Sequence, residues 1–254
     1  MLIGAGQKMY LGRQQARHWM RHVAAHTKDL KHVELFVLPS FVWLLDALEL
    51  LSGTHIRWGA QNVHWEDTGP WTGEVSPLMV KETGATIVEI GHSERRTHFG
   101  ETDETVNKKV LAALDHGLTP LVCIGEAERN EKLASETLPR QLAAVFREVR
   151  EARWPEVVIA YEPVWAIGKD RPADIPYLRE RFEQLRTWLT GSNPRFGERV
   201  KVLYGGSVDP DSTPELLSLP HIGGLFIGRA ALDPDAFCKM AALADDVARK
   251  REVG

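Results

Sequence analysis

The chain has 254 residues, with 31 Lys plus Arg against 35 Asp plus Glu and a formal net charge of −4, so it lacks the basic excess of a nucleic-acid-binding protein. The length suits one α/β barrel or two small domains, and 43% hydrophobic residues suits a globular core. Two cysteines, Cys123 and Cys238, make no disulfide framework and no local metal motif, and no segment nears the roughly 20 apolar residues of a membrane span.

In chain order, Leu2 to Gly6 is the first short apolar run. It has no basic flank, so it does not read as a signal peptide, and a reducing cytoplasm is the expected compartment. Further runs follow at 33–38, 56–60, 86–90, 119–124, 157–161, 200–204 and 224–227. Most are β-branched and bounded by turn residues, as buried parallel strands are. Amphipathic stretches predict helices over 13–26, 103–116, 138–150, 177–189 and 235–250. Thr102 or Asp103 is positioned to open the second of these, and Gly117 to close it. Eight strands alternating with helical regions predict one α/β domain over 1–254, a (β/α)8 barrel. A doubly wound sheet is the alternative, but Gly4-Ala5-Gly6 supplies only half of its phosphate-binding turn, because Met9 stands where the third glycine belongs.

Polar residues and glycines cluster just after the apolar runs. Lys8 follows the first, Gln61-Asn62 the third, Gly91-His92-Ser93-Glu94 the fourth and Gly125-Glu126 the fifth. Glu162 follows the sixth, Gly205-Gly206-Ser207 the seventh and Gly228-Arg229 the eighth. In a barrel these strand ends converge on the rim that carries active sites. The glycines after the last two runs suggest phosphate, because bare backbone N–H groups can approach an anion there. His92, placed before a helical turn, is expected to stay neutral and donate a hydrogen bond. Glu162, at the end of a buried strand, reads as a candidate base, and the apolar loop after it as a lid that excludes water. His18, His22 and His26 recur on one helical face, but the zincin pattern fails at Val23, and a solvated face is expected.

Several motifs together resemble the triosephosphate isomerase family. They are Ala60-Gln61-Asn62, Thr72-Gly73-Glu74, Ile90-Gly91-His92-Ser93-Glu94-Arg95-Arg96, Cys123-Ile124-Gly125-Glu126, the stretch from Ala160 to Gly168, and Leu203 to Val208. They occur in family order along nearly the whole chain. The resemblance implies a sugar-phosphate isomerase that moves a carbonyl between adjacent carbons through a cis-enediol(ate). Glu162 would be the base, His92 the neutral electrophile and Lys8 the cation that steadies developing oxyanion charge, the Glu/His pairing being a known pattern of this family. Glu94 would support Lys8 and His92. Gly168, Ser207 and Gly228 would hold the phosphate, and the loop Pro163, Val164, Trp165, Ala166, Ile167, Gly168, continuing to Ala173, would be the lid. Thr72 would enter a neighbouring subunit's site, which implies a homodimer. The resemblance implies no metal and no organic cofactor, and places the enzyme in cytoplasmic glycolysis and gluconeogenesis with dihydroxyacetone phosphate and glyceraldehyde 3-phosphate as substrates.

The chain also departs from the family. The first strand of the family ends in Asn-Trp-Lys-Met-Asn, and here Gly6-Gln7-Lys8-Met9-Tyr10 stands in its place. The lid reads Gly168-Lys169-Asp170-Arg171-Pro172-Ala173 instead of Gly-Thr-Gly-Lys-Thr-Ala, and the last strand ends in Gly228-Arg229. The Gly-Arg ending resembles the family's tetritol-breakdown branch, which converts L-erythrulose 1-phosphate to D-erythrulose 4-phosphate. Gly6 would make room for that substrate's extra hydroxymethyl group, so Gly6→Asn is expected to penalise the larger substrate more. The remaining alternative is an inactive barrel that binds a sugar phosphate.

Overall fold

The computed structural model describes residues 1–169 and 171–253. Asp170, noted above on the lid, lies outside the described residues. Eight parallel strands close into a barrel in sequence order. They are β1 (Leu2–Gly6), β2 (Glu34–Leu38), β3 (Ile56–Ala60), β4 (Ile87–Ile90), β5 (Thr119–Ile124), β6 (Val158–Tyr161), β7 (Lys201–Tyr204) and β8 (Gly224–Ile227). The ring shuts where Leu2–Ala5 of β1 pair with Gly224–Ile227 of β8.

Alternation along each strand sorts the side chains into two apolar layers. Inward-facing residues, among them Leu38, Ile87, Leu121, Cys123, Ala160 and Phe226, fill the barrel. Outward-facing residues such as Val37, Val88, Val122 and Ile159 pack beneath the helices.

The outer layer comprises α1 (Arg13–Thr27), α2 (Leu44–Leu51), α3 (Pro77–Glu82), α4 (Ser93–His98), α5 (Asp103–Asp115), α6 (Glu131–Phe146), α7 (Ile175–Ser192), α8 (Thr213–Leu217) and α9 (Pro234–Val253). The Thr102 side chain caps α5 by accepting from the Thr105 amide, and Gly117 ends that turn at φ +64. Helix α6 starts at Glu131, not Leu138, because Asn130 caps it, and it tolerates Pro139 within its length. Helices α2, α3, α4 and α8 were not expected from the sequence; each is too short for a helical period to stand out.

On α1 the His22 and His26 rings stack at 4.0 Å and His22 Nε2 lies 2.8 Å from Asp235, while His18 and His26 face solvent. Among the described residues no helix is long and apolar enough to cross a membrane.

Candidate active site

The strand ends open into a cavity of about 520 Å³. Lys8, His92, Glu94, Glu162, Gly168, Ser207 and Gly228, all expected from the sequence, line it together with Ile167 of the lid. Thr72 is not among the lining residues; it stands on an exposed loop.

Lys8 follows β1 with φ 47, a left-handed conformation that costs a non-glycine residue energy and persists only when neighbours impose it. Gln61, just after β3, imposes it. Its amide nitrogen donates to the Lys8 carbonyl and to the Leu38 carbonyl, each at 2.9 Å. The Lys8 ammonium then reaches Glu94 Oε1 at 2.6 Å. Burial works against the Lys8 charge, but the Glu94 bond and charge outweigh it, so Lys8 is held above its ordinary pKa and stays cationic. Glu94 is held below its own, because Lys8 outweighs the cost of burial.

His92 caps α4. Its Nδ1 accepts the Glu94 backbone N–H at 3.1 Å, so the ring hydrogen of the neutral form sits on Nε2. Nε2 faces Glu162 Oε2 at 3.8 Å, too far for a hydrogen bond. Burial disfavours the imidazolium, while Glu162 and Glu89 favour it and raise the pKa on balance. The cap bond pulls the other way, since an Nδ1 that carried a proton could not accept the Glu94 amide. The geometry fixes the tautomer with Nε2–H aimed at Glu162.

Glu162 is 2% exposed, and its Oε2 has no partner among the described residues. Its side chain lies over Gly205, where a Cβ would stand 2.7 Å from Glu162 Cγ. The glycine after β7 therefore makes room for the candidate base. After Glu162 the chain makes a single 3-10 turn at Val164–Ala166. The lid is tied at both ends. Trp165 Nε1 donates to Glu126 at 2.9 Å, and the Ala173 amide donates to the Tyr204 hydroxyl at 3.1 Å. The Ser207 hydroxyl oxygen lies 3.0 Å from the Ala166 carbonyl and 2.8 Å from the Lys169 carbonyl, so its proton is given to the lid. Arg229 reaches the Gly168 carbonyl at 3.4 Å.

Two features go beyond the sequence reading, which places Glu126 on the rim without a role and passes over Glu89. Glu126 accepts from Tyr161, Trp165 and Tyr177 and anchors the lid from beneath. Glu89 of β4 points into the barrel, lines the cavity and is 6% exposed. Its signal was a carboxylate at an inward position of an otherwise apolar run. Glu89, His92 and Glu162 each offer a donor atom within 4.8 Å of the others, a spacing that could also hold a metal ion. Two of the three are the expected acid–base pair, and Lys8, Lys169 and Arg229 are cations lining the same cavity.

The structure also revises the role expected for Gly6. A Cβ there would stand 2.9 Å from Phe226 Cζ, so the space left by the missing side chain is taken by the Phe226 ring, itself stacked on Phe36. Gly6→Asn would thus strain packing before it could discriminate between substrates.

The sequence model of the family described as triosephosphate isomerase matches residues 1–244. The chain belongs to the triosephosphate isomerase family. It is accordingly an isomerase whose substrate is a phosphorylated sugar. An L-erythrulose-1-phosphate isomerase of Rhizobium etli is 45% identical over 245 residues, covering 94% of this chain and 91% of the relative. One of Mycolicibacterium smegmatis is 43% identical over 249 residues, covering 95% and 92%. Among solved structures, a triosephosphate isomerase from Bartonella henselae superposes with a TM-score of 0.87 at 34% identity, covering 96% of this chain and 98% of that one. The sequence resemblance and the family fold therefore agree.

Proposed function

We propose that the chain is a ketose–ketose isomerase acting on L-erythrulose 1-phosphate and yielding D-erythrulose 4-phosphate. The observation that carries this reading is the name shared by relatives at 43–45% identity over more than nine-tenths of the chain, against 34% for the triosephosphate isomerase structure. Substrate preference therefore moves from the triose to the tetrulose, while the proton chemistry stays as the sequence implied.

Glu162 takes the proton from the hydroxyl-bearing carbon next to the carbonyl. His92 Nε2–H polarises the carbonyl oxygen, and Lys8 balances the charge that develops on the enediolate. Glu94 keeps the Lys8 ammonium in place at 2.6 Å. The hydroxyl proton passes to the former carbonyl oxygen by way of His92 Nε2, and Glu162 returns its proton to the former carbonyl carbon, which completes the shift. Gly168, Ser207 and Gly228 border the end of the cavity nearest the lid, together with Lys169 and Arg229, and this end takes the phosphate. The lid excludes water from the enediolate.

The chain 1–254 works as one barrel domain in the cytoplasm, and as a homodimer. Met9, Val42, Leu45 and Phe99 are 67–95% exposed at the rim, an apolar surface of the kind that subunits cover. Thr72 lies on the exposed loop nearby in sequence to Trp71, itself 44% exposed. No metal or organic cofactor enters the steps above.

The test is kcat/KM for L-erythrulose 1-phosphate beside that for dihydroxyacetone phosphate, measured on one preparation with Glu162→Ala as the blank. A higher value for the tetrulose is expected. A higher value for the triose would return the chain to triose isomerisation, and activity on neither would leave the inactive-barrel alternative.

A further inference from the structure

Glu89 is a buried carboxylate that the reaction steps above do not use. It stands on the inward side of β4, among positions that the other strands fill with Leu38, Cys123, Ala160 and Phe226. Burying a carboxylate at such a position is costly unless a partner repays it. Among the described residues only a weak one is present: Cys123 Sγ lies 3.8 Å from Glu89 Oε1. Burial keeps the Cys123 thiol far above its ordinary pKa, so it remains a neutral donor. No lysine or arginine forms a salt bridge to Glu89 among the described residues, although Lys8 lines the same cavity.

The position of Glu89 suggests what its free capacity is for. The cavity has a rim end, bordered by the lid, Ser207 and Gly228, and a floor formed by inward-facing strand residues, including Glu89 and Phe226. Glu162 and His92 each place an atom within 4.8 Å of a Glu89 oxygen. A four-carbon substrate held by its phosphate at the rim, with its two reacting carbons between Glu162 and His92, has one carbon left. That carbon bears a hydroxyl and points away from the phosphate, towards the floor. A triose has no carbon there.

We propose that Glu89 is the specificity residue that reads this terminal hydroxyl, hydrogen-bonding the hydroxymethyl group that distinguishes a tetrulose phosphate from a triose phosphate. The inference rests on the tetrulose-phosphate reading and assigns a residue to it. Burial, with the like charge of Glu162, pushes the Glu89 carboxyl up to about 7 against the opposing pull of His92 and Lys8. Near neutrality it is therefore able to donate as well as accept, and a protonated carboxyl adds no negative charge beside the forming enediolate.

The experiment compares the parent with Glu89→Val and Glu89→Gln, taking kcat/KM for L-erythrulose 1-phosphate and for dihydroxyacetone phosphate in each. Valine suits an apolar barrel interior, and glutamine keeps both the shape and the hydrogen-bonding capacity. Glu89→Val is expected to lower the tetrulose-to-triose ratio by about 100-fold, the scale of losing one hydrogen bond to a carboxyl group in a buried site. Glu89→Gln should restore that ratio to within about tenfold of the parent, as expected of a hydrogen-bonding role and not of proton transfer. Inorganic phosphate, used as a competitive inhibitor, should bind parent and variants alike and so report an intact rim. Equal losses on both substrates, or an unchanged ratio in Glu89→Val, would overturn the role of Glu89 while leaving the parent's substrate preference standing. A parent that turns over only the triose would overturn both.

Discussion

Lys8, His92 and Glu162 enter the cavity as side chains from three strand ends, whereas the lid-facing end is bordered by Gly168, Ser207 and Gly228, two of them without side chains. The first group is fixed by devices that leave little freedom. Gln61 holds the Lys8 backbone in a left-handed turn, a helix cap sets the His92 tautomer, and Gly205 admits the Glu162 side chain. The second end is held by hydrogen bonds between the lid and Ser207, Tyr204 and Arg229. Such bonds can be exchanged for others, and two departures from the family, Pro172 and Arg229, fall here, while the one at Gly6 falls in the stretch that carries Lys8. Proton transfer needs atoms placed to within a fraction of an ångström, while an anion can be held by many arrangements of donors.

The largest expected effect would break the proton-transfer group at its centre. Glu162→Gln should lower kcat by about 10³-fold or more, since it removes the proposed base. Thermal stability should hold or rise, because Oε2 has no partner among the described residues. Exchange of substrate carbon-bound hydrogen with solvent, followed by NMR, is the measurement. A loss below tenfold would move the base elsewhere. Next comes Gly205→Ala. The new methyl must displace the Glu162 side chain, which lies 2.7 Å from its position. A fall in kcat of about 100-fold with little change in KM is expected, as for a misplaced base. An equal effect on KM would mean that the lid-facing end had been disturbed instead.

Glu89 sharpens the comparison through stability. Burial, chiefly, pushes its carboxyl up to about 7 in the fold against 4.5 for an unperturbed glutamate. A raised acid pKa means that the folded chain keeps a proton the unfolded chain releases. Stability is therefore lost as pH rises from about 4.5 through 7, and the loss levels off above that. Glutamine does not titrate. Glu89→Gln should melt with the parent near pH 4 and gain about 3 kcal/mol over it at pH 8. A gain that shrinks as pH rises would show that Glu89 is stabilised as a carboxylate by a cation.

Most of the barrel was legible in the sequence. All eight strands lie within one residue of the apolar runs, because buried parallel strands are short, apolar and bounded by turns. The rim followed from the strand ends. Less legible were features without a period. Helix α4 has six residues and none buried, so it carries no amphipathic signal. The first turns of α6 are polar, and its start was hidden behind Pro139. Gly6 read as an opening because a sequence does not show which neighbour fills a gap, and the neighbour is Phe226, more than 200 positions away. Glu89 passed as part of a strand because apolar runs are read by their average, and the inward register that makes its charge costly exists only once the barrel closes.

The smallest effect concerns the lid hinge, where the two halves of the site meet. Tyr204, the last residue of β7, is fully buried, and its hydroxyl accepts the Ala173 amide at 3.1 Å. Burial lifts the phenol to about 12 against the opposing pull of that amide, so it is neutral throughout the working range. Tyr204→Phe removes the acceptor while keeping the ring, and leaves a buried N–H unpaired as long as the lid is seated. The amide regains a partner in water when the hinge swings out, so the variant should favour an open lid by about 1 kcal/mol, or roughly fivefold. Turnover should fall three- to tenfold with Glu162, His92 and Lys8 untouched. The more telling change is chemical. An enediolate exposed to water can expel its phosphate instead of being reprotonated, so inorganic phosphate released per turnover should rise several-fold. Phosphate release equal to the parent's, with turnover reduced, would assign the Tyr204 hydroxyl to placing Glu162 and not to holding the lid, and the boundary between the two halves would then lie on the far side of β7.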